Sequence, residues 1–386
     1  MKGATGEQLA AVEAWFGENF SRRGELGASL SIWHGGREVL SLAGGYTDRA
    51  RTQPWTAQTP VLVWSATKGP AAASLLHALE RQGEGPGLPV RELWPEFARN
   101  GKEAVSVGEV LSHRAGVAAL EEAASITDRE AVLRALEAQR PNWPLGEGHG
   151  YHPRTFGYLL DELVRRLEGV SLADYWRRWF GVPLGLDFWI GVPEEVLPRV
   201  APVYAARISR ESPEPAPEDA RFSAAMASPG SLTARAFASP RGAFGVAGMN
   251  TPEMRRGEFP GFGGIGTARA LARFYAMLAG GGALEGLRCL RSIAPLTRTL
   301  SSGEDRVLLR ETAFGAGMML DPVRHGRKVR RLFGPSLTAF GQPGAGGSHA
   351  FADPENGIAF AYCMNQMEPG VFPGEKALGL VRALYG

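Results

Sequence analysis

The two ends of the chain carry strand patterns, whereas the middle is patterned for helices. Near the start, "ELGASLSIWHGGREVLSLAGGYTD" (residues 25–48) places β-prone runs on both sides of His-Gly-Gly and predicts a hairpin. Near the end, "GGSHAFADPENGIAFAYCMN" (346–365) predicts a second hairpin that turns at residues 353–357. Residues 65–185 mostly repeat apolar side chains at helical spacing. An α+β fold follows, in which both ends share one antiparallel sheet around a helical insertion.

Helices are expected to flank this sheet at both termini. Residues 1–20 are amphipathic, and a last helix is predicted near residues 375–384. With 386 residues, 44% of them hydrophobic, the chain can bury a large core, and we expect a single compound domain over residues 1–386. Its predicted parts are an α/β subdomain at about 1–60 and 255–386 and a helical subdomain at about 61–254.

Local signals assign four further segments. The apolar spacing of residues 155–169 predicts a helix that stops at Gly169. Thr267 is the expected N-cap of the next clear helix. The Pro- and acid-rich residues 209–223 predict a surface loop or linker, and the glycine-rich residues 261–266 predict a tight connection.

The charge and cysteine content exclude several classes of function. A net charge of +2 comes from 42 basic and 40 acidic residues, and the basic clusters are short. Neither nucleic acid nor an anionic membrane is therefore expected as a partner. Cys289 and Cys363 form no disulfide framework or metal spacing, which suits a reducing compartment. Residues 1–20 lack the apolar core of a signal peptide, so a soluble, cytoplasmic protein is expected.

The segment "VLVWSATKGPAAASLLHALERQG" (61–83) contains the first candidate for chemistry. Ser65 stands where an apolar run meets a helical pattern, and Lys68 follows three residues later on the same helix face. A buried lysine with a lowered pKa could accept the serine proton, which would make Ser65 a nucleophile. Alternatively, Ser65 caps the helix and Lys68 is an ordinary surface residue. The spacing alone leaves both interpretations open.

Two glycine-rich stretches supply the other candidates. Tyr151 lies in the loop "GEGHGYHPRTFGYLL" just before a helix, where a nearby lysine ammonium would lower its pKa and make it a proton shuttle. The alternative is an ordinary packed loop tyrosine. The stretch "FGQPGAGGSHAF" (340–351) leads into the second hairpin, and its small residues could expose backbone N–H groups to a substrate. The alternative is a glycine-rich edge strand.

Several competing motifs are weaker. "GGSHA" (346–350) imitates a nucleophile elbow, but Ser348 falls inside a predicted hairpin and no histidine follows His349. "GFGGIG" before a helix lacks the lysine of a phosphate-binding loop. His149 and His152 flank Tyr151 without a carboxylate or cysteine cluster that would complete a metal site. For Trp64, Trp143, Phe156 and Phe244, a place in an acyl pocket and a place in the core both remain open.

Taken in order, these motifs resemble the serine β-lactamase and penicillin-binding-protein superfamily. The order is Ser-x-x-Lys, a tyrosine in a glycine-rich loop, and a late glycine-rich strand. "EVLSHRAGV" (109–117), "YHPRTFGYLLDELVRRLEG" and "GGIGTARALARFYAMLAGGG" are similar to further segments of that superfamily. The chain looks most like the β-lactamase-related (family VIII) carboxylesterases, which implies the class C β-lactamase fold.

The resemblance implies a role for each motif. Ser65 would be the acyl-accepting nucleophile, Lys68 its activating partner, and Tyr151 the residue that protonates the leaving group and later activates water. Backbone N–H groups of Ser65 and Ala345 would form the oxyanion hole. The resemblance also places His152, Gln342, Gly344 and Gly346 against the substrate, and it requires neither a metal nor a cofactor because the acyl intermediate is formed on the protein itself.

Departures from the superfamily's pattern bear on the substrate. The third position of Tyr-x-Asn is Pro153, and Gln342 stands where relatives have a basic residue. Both changes favour uncharged carboxylic esters, hydrolysed through an acyl-Ser65 intermediate. The alternatives are a β-lactamase, a D-amino-acid peptidase or acyltransferase of the same fold, and a catalytically silent binding relative. The oligomeric state is not indicated by the sequence.

Overall fold

Both ends of the chain contribute strands to one antiparallel sheet. The computed structural model describes residues 4–207, 216–242 and 245–386. The strands in these residues are β1 Gly27–His34, β2 Arg37–Gly45, β3 Val61–Leu62, β4 Phe188–Ile190, β5 Gly264–Gly266, β6 Ala283–Leu284, β7 Leu287–Arg288, β8 Ser301–Glu304, β9 Glu311–Phe314, β10 Met319–Leu320, β11 Val323–Arg324, β12 Arg327–Lys328, β13 Phe340–Pro343, β14 His349–Asp353 and β15 Ile358–Met364. Eight of them pair in the large sheet, in the order β2-β1-β15-β14-β13-β10-β9-β8.

Helices account for the termini and for most of the middle of the chain. They are α1 Gly6–Arg22, α2 Lys68–Arg81, α3 Val90–Leu93, α4 Val107–Leu111, α5 Arg129–Ala138, α6 Thr155–Glu168, α7 Leu172–Trp176, α8 Pro217–Met226, α9 Leu232–Ala238, α10 Gly245–Met249, α11 Pro252–Arg256, α12 Ala268–Ala279, α13 Ala294–Thr297 and α14 Glu375–Tyr385. The two predicted hairpins, β1–β2 and β14–β15, and the two terminal helices are therefore confirmed.

Strand β15 is buried on both faces, and alternate residues enter two different cores. The larger side chains pack with α1 and α14, and they are Ile358, Phe360, Tyr362 and Met364. The smaller ones face α12, and they are Ala359, Ala361 and Cys363. A strand covered on both sides reads as an unbroken apolar run, as this one does. The sheet therefore lies between the terminal helices and α12.

Helix ends follow the sequence signals. Helix α6 stops at Gly169, whose φ of 74° is the left-handed conformation that glycine adopts at low cost. The Thr267 side chain accepts a hydrogen bond from the Ala270 N–H at 3.1 Å and caps α12. The loop expected at residues 209–223 is wrong from Pro217 onward, where α8 begins with a proline in its first turn. Residues 208–215 lie outside the described part of the chain.

The tight connection expected at residues 261–266 is wrong for residues 264–266, although residues 260–262 do form a turn. Gly264–Gly266 is strand β5, and it pairs with β3 on one side and β4 on the other. A Cβ on Gly264 would lie 2.5 Å from the Phe188 ring and 2.6 Å from Thr67 Oγ1. Glycine is needed here because neighbouring groups approach the backbone closely, not because the chain turns.

The small β3–β5–β4 sheet joins parts of the chain that the sequence analysis assigned to different subdomains. Its strands come from residues near 61, 188 and 265. The proposed subdomain limits near residues 60 and 255 stay a prediction. No helix in the described ranges is both long enough and apolar enough to cross a lipid bilayer.

Candidate active site

Ser65 lies where a short strand becomes a helix. Strand β3 ends at Leu62, and Trp64 has a left-handed backbone with a φ of 50°, which is uncommon for a bulky residue. One turn of 3₁₀ helix covers Trp64–Thr67, and α2 continues from Lys68. The Ser65 hydroxyl caps neither helical segment. The capping alternative is therefore wrong.

The Lys68 side chain is fully buried beside Ser65. Its Nζ lies 3.3 Å from Ser65 Oγ, 2.8 Å from the Pro153 carbonyl oxygen and 2.6 Å from the Gly261 carbonyl oxygen. Burial lowers the pKa of Lys68 well below 10.5, which favours the neutral amine. Because carbonyl oxygens only accept, Lys68 donates hydrogens to Pro153 and Gly261. A neutral amine held in this way would direct its lone pair at the Ser65 hydroxyl.

Tyr151 lines the same cavity as Ser65, and Lys68 Nζ lies 4.8 Å from the centre of its ring. Burial raises the pKa of Tyr151 above its ordinary value of 10. The lowered pKa expected from the sequence is therefore wrong, because the loss of solvation on burial disfavours the phenolate more than the neighbouring groups stabilise it.

Gln342 holds the Tyr151 phenol. Its Nε2 lies 3.4 Å from the Pro343 carbonyl oxygen, which can only accept, and 3.3 Å from the Tyr151 hydroxyl. This side-chain amide therefore donates to the Tyr151 oxygen and leaves the phenol hydrogen free for another acceptor. Gln342 and Tyr151 are thus joined by one hydrogen bond and Lys68 and Ser65 by another.

Two backbone amides complete the arrangement. In the described part of the chain, the N–H groups of Ser65 and Ala345 have no backbone acceptor, and both residues line one cavity. Ala345 starts a 3₁₀ turn directly after β13 and Gly344. A Cβ on Gly344 would lie 2.1 Å from the Val63 carbonyl oxygen, so only glycine lets β13 approach the Ser65 turn this closely. Two free donors of this kind can stabilise a carbonyl oxygen as it becomes negatively charged.

The cavity beside Ser65 is small and mainly apolar, with a volume of about 30 Å³. Among the described residues that line it, none is charged at neutral pH. Its polar wall is formed by Ser65, Tyr151, Gln342 and the Ala345 backbone, and its apolar wall by Phe237, Leu308, Met319, Pro343, Val371 and Phe372. Apart from Pro343, the residues of the apolar wall could not be identified from the sequence, because they come from separate segments without a shared motif.

Gln342 is the one residue of the four expected to contact substrate that lines this cavity. The His152 ring is buried, and it accepts a hydrogen bond from the Val117 N–H and binds the Gly150 carbonyl oxygen. The N–H groups of Gly344 and Gly346 donate to the Ser348 and Gly370 carbonyl oxygens, respectively, as the backbone pairing of this turn requires. Substrate contacts by His152, Gly344 and Gly346 stay predictions, and the hydrogen bonds of these residues within the protein do not favour them.

Two buried histidines support the Tyr151 loop. The His152 N–H donates to His113 Nδ1 at 3.2 Å, and the His113 ring packs against the Tyr151 ring. Burial lowers the pKa of His152 to about 3 and lowers that of His113 as well, so both rings are neutral. The described residues contain no cluster of three or more groups that could hold a metal ion.

The remaining candidates lie outside the cavity. Trp143 and Phe156 belong to the buried core, and Trp64 does not line the cavity either. Phe244 lies outside the described residues. Ser348 is buried directly before β14, where its Oγ has no hydrogen-bond partner among the described residues, so no group is placed to activate it.

Asp305 is a residue of this region that no motif marked. Its carboxylate accepts hydrogen bonds from the Tyr151 N–H at 3.0 and 3.1 Å. The available signal was a single acidic residue in a short connection, a pattern shared by many ordinary turns. Its neighbour in space is more than 150 residues away in the sequence, so only the fold reveals the contact.

Comparison with known proteins shows which family the chain belongs to. The Beta-lactamase family model matches residues 12–384. The chain is 33% identical over 374 residues to Esterase/beta-lactamase LipL of Mycobacterium tuberculosis (strain ATCC 25618 / H37Rv), covering 95% of this chain and 83% of LipL. A penicillin-binding protein homologue from Caulobacter crescentus is 35% identical with a TM-score of 0.83, and the match covers 99% of this chain and 98% of that one.

A family VIII carboxylesterase of known structure is 31% identical, with a TM-score of 0.85 and coverage of 99% of this chain and 98% of that one. These matches extend over nearly the whole chain, so they include the sheet, the helical middle and every residue of the candidate site. The α+β fold expected from the sequence is confirmed by the same matches. The protein is thus a member of the Beta-lactamase family.

Proposed function

We propose that the protein is a serine hydrolase that cleaves uncharged carboxylic esters through an acyl-Ser65 intermediate. The observation that carries the proposal is the buried contact of Lys68 Nζ with Ser65 Oγ at 3.3 Å, next to the Tyr151 phenol that Gln342 holds in the same cavity. The lowered pKa of Lys68 favours an amine that can accept the serine proton, and the raised pKa of Tyr151 favours a phenol that can donate one.

In the acylation step, Lys68 Nζ takes the Ser65 proton as Oγ attacks the ester carbonyl carbon. The carbonyl oxygen becomes negative and accepts hydrogen bonds from the Ser65 and Ala345 amides. When the C–O bond to the alcohol breaks, Tyr151 gives its proton to the leaving oxygen. The site then holds an acyl-serine, a Lys68 ammonium and a Tyr151 phenolate, whose opposite charges stabilise each other.

Deacylation reverses these proton movements. The Tyr151 phenolate takes a proton from water, and the resulting hydroxide attacks the acyl carbon, with its oxygen again held by the two amides. The bond to Ser65 then breaks, and Lys68 returns its proton to Oγ. Acid and alcohol are released, and each side chain regains its starting proton.

The cavity favours an uncharged ester over a β-lactam. A β-lactam antibiotic carries a carboxylate, and the described lining offers no cation to pair with it, because Gln342 occupies the position of a basic residue. Two relatives support ester cleavage by their names, LipL and the family VIII carboxylesterase. LipL is also named as a β-lactamase, so β-lactam hydrolysis is the second candidate.

The test combines covalent labelling with a substrate panel. A fluorophosphonate probe should add its mass to Ser65, and labelling should vanish in Ser65→Ala while persisting in the matched variant Ser348→Ala. Ser65→Ala should also lose turnover of p-nitrophenyl esters. Failure of the wild-type protein to be labelled and to hydrolyse any ester would refute the proposal, and efficient nitrocefin turnover would rank β-lactams first.

A further inference from the structure

Asp305 is a fully buried carboxylate in the connection between β8 and β9. Oδ1 accepts hydrogen bonds from the N–H groups of Tyr151 at 3.0 Å, Val307 at 2.9 Å and Leu308 at 2.8 Å. Oδ2 accepts from the Thr312 hydroxyl at 3.1 Å and lies 3.1 Å from the Tyr151 nitrogen. Burying a carboxylate is costly unless such donors surround it, and one of these donors belongs to Tyr151.

The direction of the neighbouring hydrogen bonds follows from the carboxylate. Because Oδ2 only accepts, the Thr312 hydroxyl donates to it. Thr312 Oγ1 lies 2.6 Å from His149 Nε2, so this nitrogen carries the hydrogen and donates to Thr312. His149 is two residues before Tyr151, and the network therefore contacts the Tyr151 loop at two points.

Backbone contacts extend this attachment. His149 and Asp305 form an isolated parallel β-bridge, and the Arg306 N–H donates to the His149 carbonyl oxygen at 3.1 Å. On the other side of the loop, the Gly150 N–H donates to the His113 carbonyl oxygen at 3.1 Å. The loop is thus fixed between the edge of the large sheet and the helical region. Asp305 is the residue whose side chain accepts the hydrogen bond of the Tyr151 backbone N–H.

We propose that Asp305 is a positioning residue that keeps the Tyr151 phenol aligned with Ser65 and so controls proton delivery to the leaving group. The proposal rests on the proposed ester hydrolysis. Asp305 touches neither the cavity nor Ser65, and it acts through the Tyr151 backbone. Small displacements of a reacting group are expensive, since a shift of about 1 Å can reduce a rate by about 100-fold.

The test uses the leaving group as the readout. Two esters with the same acyl group are compared, one with a p-nitrophenol leaving group and one with a simple alkyl alcohol. The alkoxide needs the Tyr151 proton, whereas p-nitrophenolate leaves readily without it. In Asp305→Ala, kcat/KM for the alkyl ester should fall at least about tenfold more than kcat/KM for the p-nitrophenyl ester, in the manner of Tyr151→Phe.

Asp305→Asn is the conservative variant. Its Oδ1 still accepts the three N–H hydrogen bonds, and its Nδ2 can donate to Thr312, which then donates to His149. We expect both esters to remain within roughly fivefold of the wild-type kcat/KM, because the hydrogen bonds are kept and only the charge is lost. Asp321→Ala is the matched control, since Asp321 is also buried and accepts hydrogen bonds from the Leu332 and Phe333 N–H groups. Asp321→Ala should lower the stability of the fold without changing the ratio of kcat/KM between the two esters.

Fluorophosphonate labelling of Ser65 counts the folded sites in each variant, so partial unfolding lowers both rates equally and leaves the ratio unchanged. If Asp305→Ala kept the wild-type ratio of kcat/KM between the two esters, the role of Asp305 would be overturned, even if that variant were less stable. A selective loss of kcat/KM for the alkyl ester in Asp321→Ala would overturn it as well. Absence of labelling and hydrolysis in the wild-type protein would instead refute the ester hydrolase.

Discussion

Lys68 combines a position at the centre of the candidate site with complete burial. An amine exposed to water would be protonated at neutral pH and unable to accept the Ser65 proton. Here two carbonyl oxygens take its hydrogens and burial lowers its pKa, so its lone pair remains available. The same burial raises the pKa of Tyr151, which keeps the phenol protonated. One buried environment thus favours a neutral amine and a neutral phenol, both next to Ser65.

The pH dependence of kcat/KM should reflect these shifts. Activity rises as Lys68 loses its proton, and since its pKa is lowered well below 10.5, the rise should come at a lower pH than for an ordinary lysine. We expect kcat/KM to gain clearly less than tenfold per pH unit between about pH 8 and 9.5, whereas a lysine with an ordinary pKa of about 10.4 would give a nearly tenfold gain per unit. Lys68→Arg, which stays protonated, should lose roughly 100-fold or more at every pH. A steady rise of slope one above pH 8 would contradict this assignment.

At the scale of elements, the site depends on how closely β13 approaches the turn that carries Ser65. Gly344 lies against the Val63 carbonyl oxygen, and the amide of the next residue, Ala345, faces the cavity region. Neither element has this geometry on its own. The glycine-rich sequence around residue 344 was visible from the start, but its role in bringing strand and helix together requires the folded chain.

Gly344→Ala should separate these two elements. The added methyl group would meet the Val63 carbonyl oxygen at 2.1 Å, so the backbone must shift and the Ala345 amide must move. We expect kcat/KM to fall by about 100-fold or more, the usual cost of losing one oxyanion donor. Gly87→Ala is the control, because a Cβ there meets nothing within 4 Å. Steady-state kinetics of both variants, with melting curves, measure the effect; unchanged kinetics in Gly344→Ala would argue against the Ala345 amide as a donor.

At the scale of the whole molecule, a buried ion pair joins the two ends of the chain. Lys376 Nζ on α14 lies 3.2 Å from Glu25 Oε2, just before β1, and the Tyr362 hydroxyl of β15 donates to the same carboxylate. Asn19 of α1 also donates to the Lys376 carbonyl oxygen at 3.2 Å. These contacts connect both terminal helices to strands β1 and β15 of the sheet, and none of these residues lines the Ser65 cavity.

Lys376→Met should destabilise the fold without changing the chemistry. It leaves Glu25 buried without its cation, and breaking a buried pair in this way costs about 3–5 kcal/mol. The control is Arg382→Ala on the same helix, whose exposed pair with Glu375 is worth about 0–1 kcal/mol. Thermal or urea unfolding should show a clear loss for Lys376→Met and little change for Arg382→Ala. Ester turnover per labelled Ser65 should stay at the wild-type value in both; equal stability of the two variants would contradict the role given to the ion pair.

Local sequence signals predicted what depends on neighbours along the chain. Both hairpins, the stop of α6 at Gly169 and the cap of α12 at Thr267 follow from turn residues and apolar periodicity, which act within a few residues. The spacing of Ser65 and Lys68 likewise placed both side chains on one helix face. Strand β5 was missed because its glycines match no strand propensity, and only pairing with β3 and β4 makes it a strand.

The sequence by itself determined the two hairpins, the terminal helices and the residue types available for chemistry, since these are encoded locally. Only the tertiary structure decided the protonation preferences of Lys68 and Tyr151, because burial is produced by residues far away in the chain. It also decided that Asp305 holds the Tyr151 backbone and that Gly344 meets Val63. Contacts between distant segments, and the desolvation that comes with them, turn a common Ser-x-x-Lys spacing into a candidate active site.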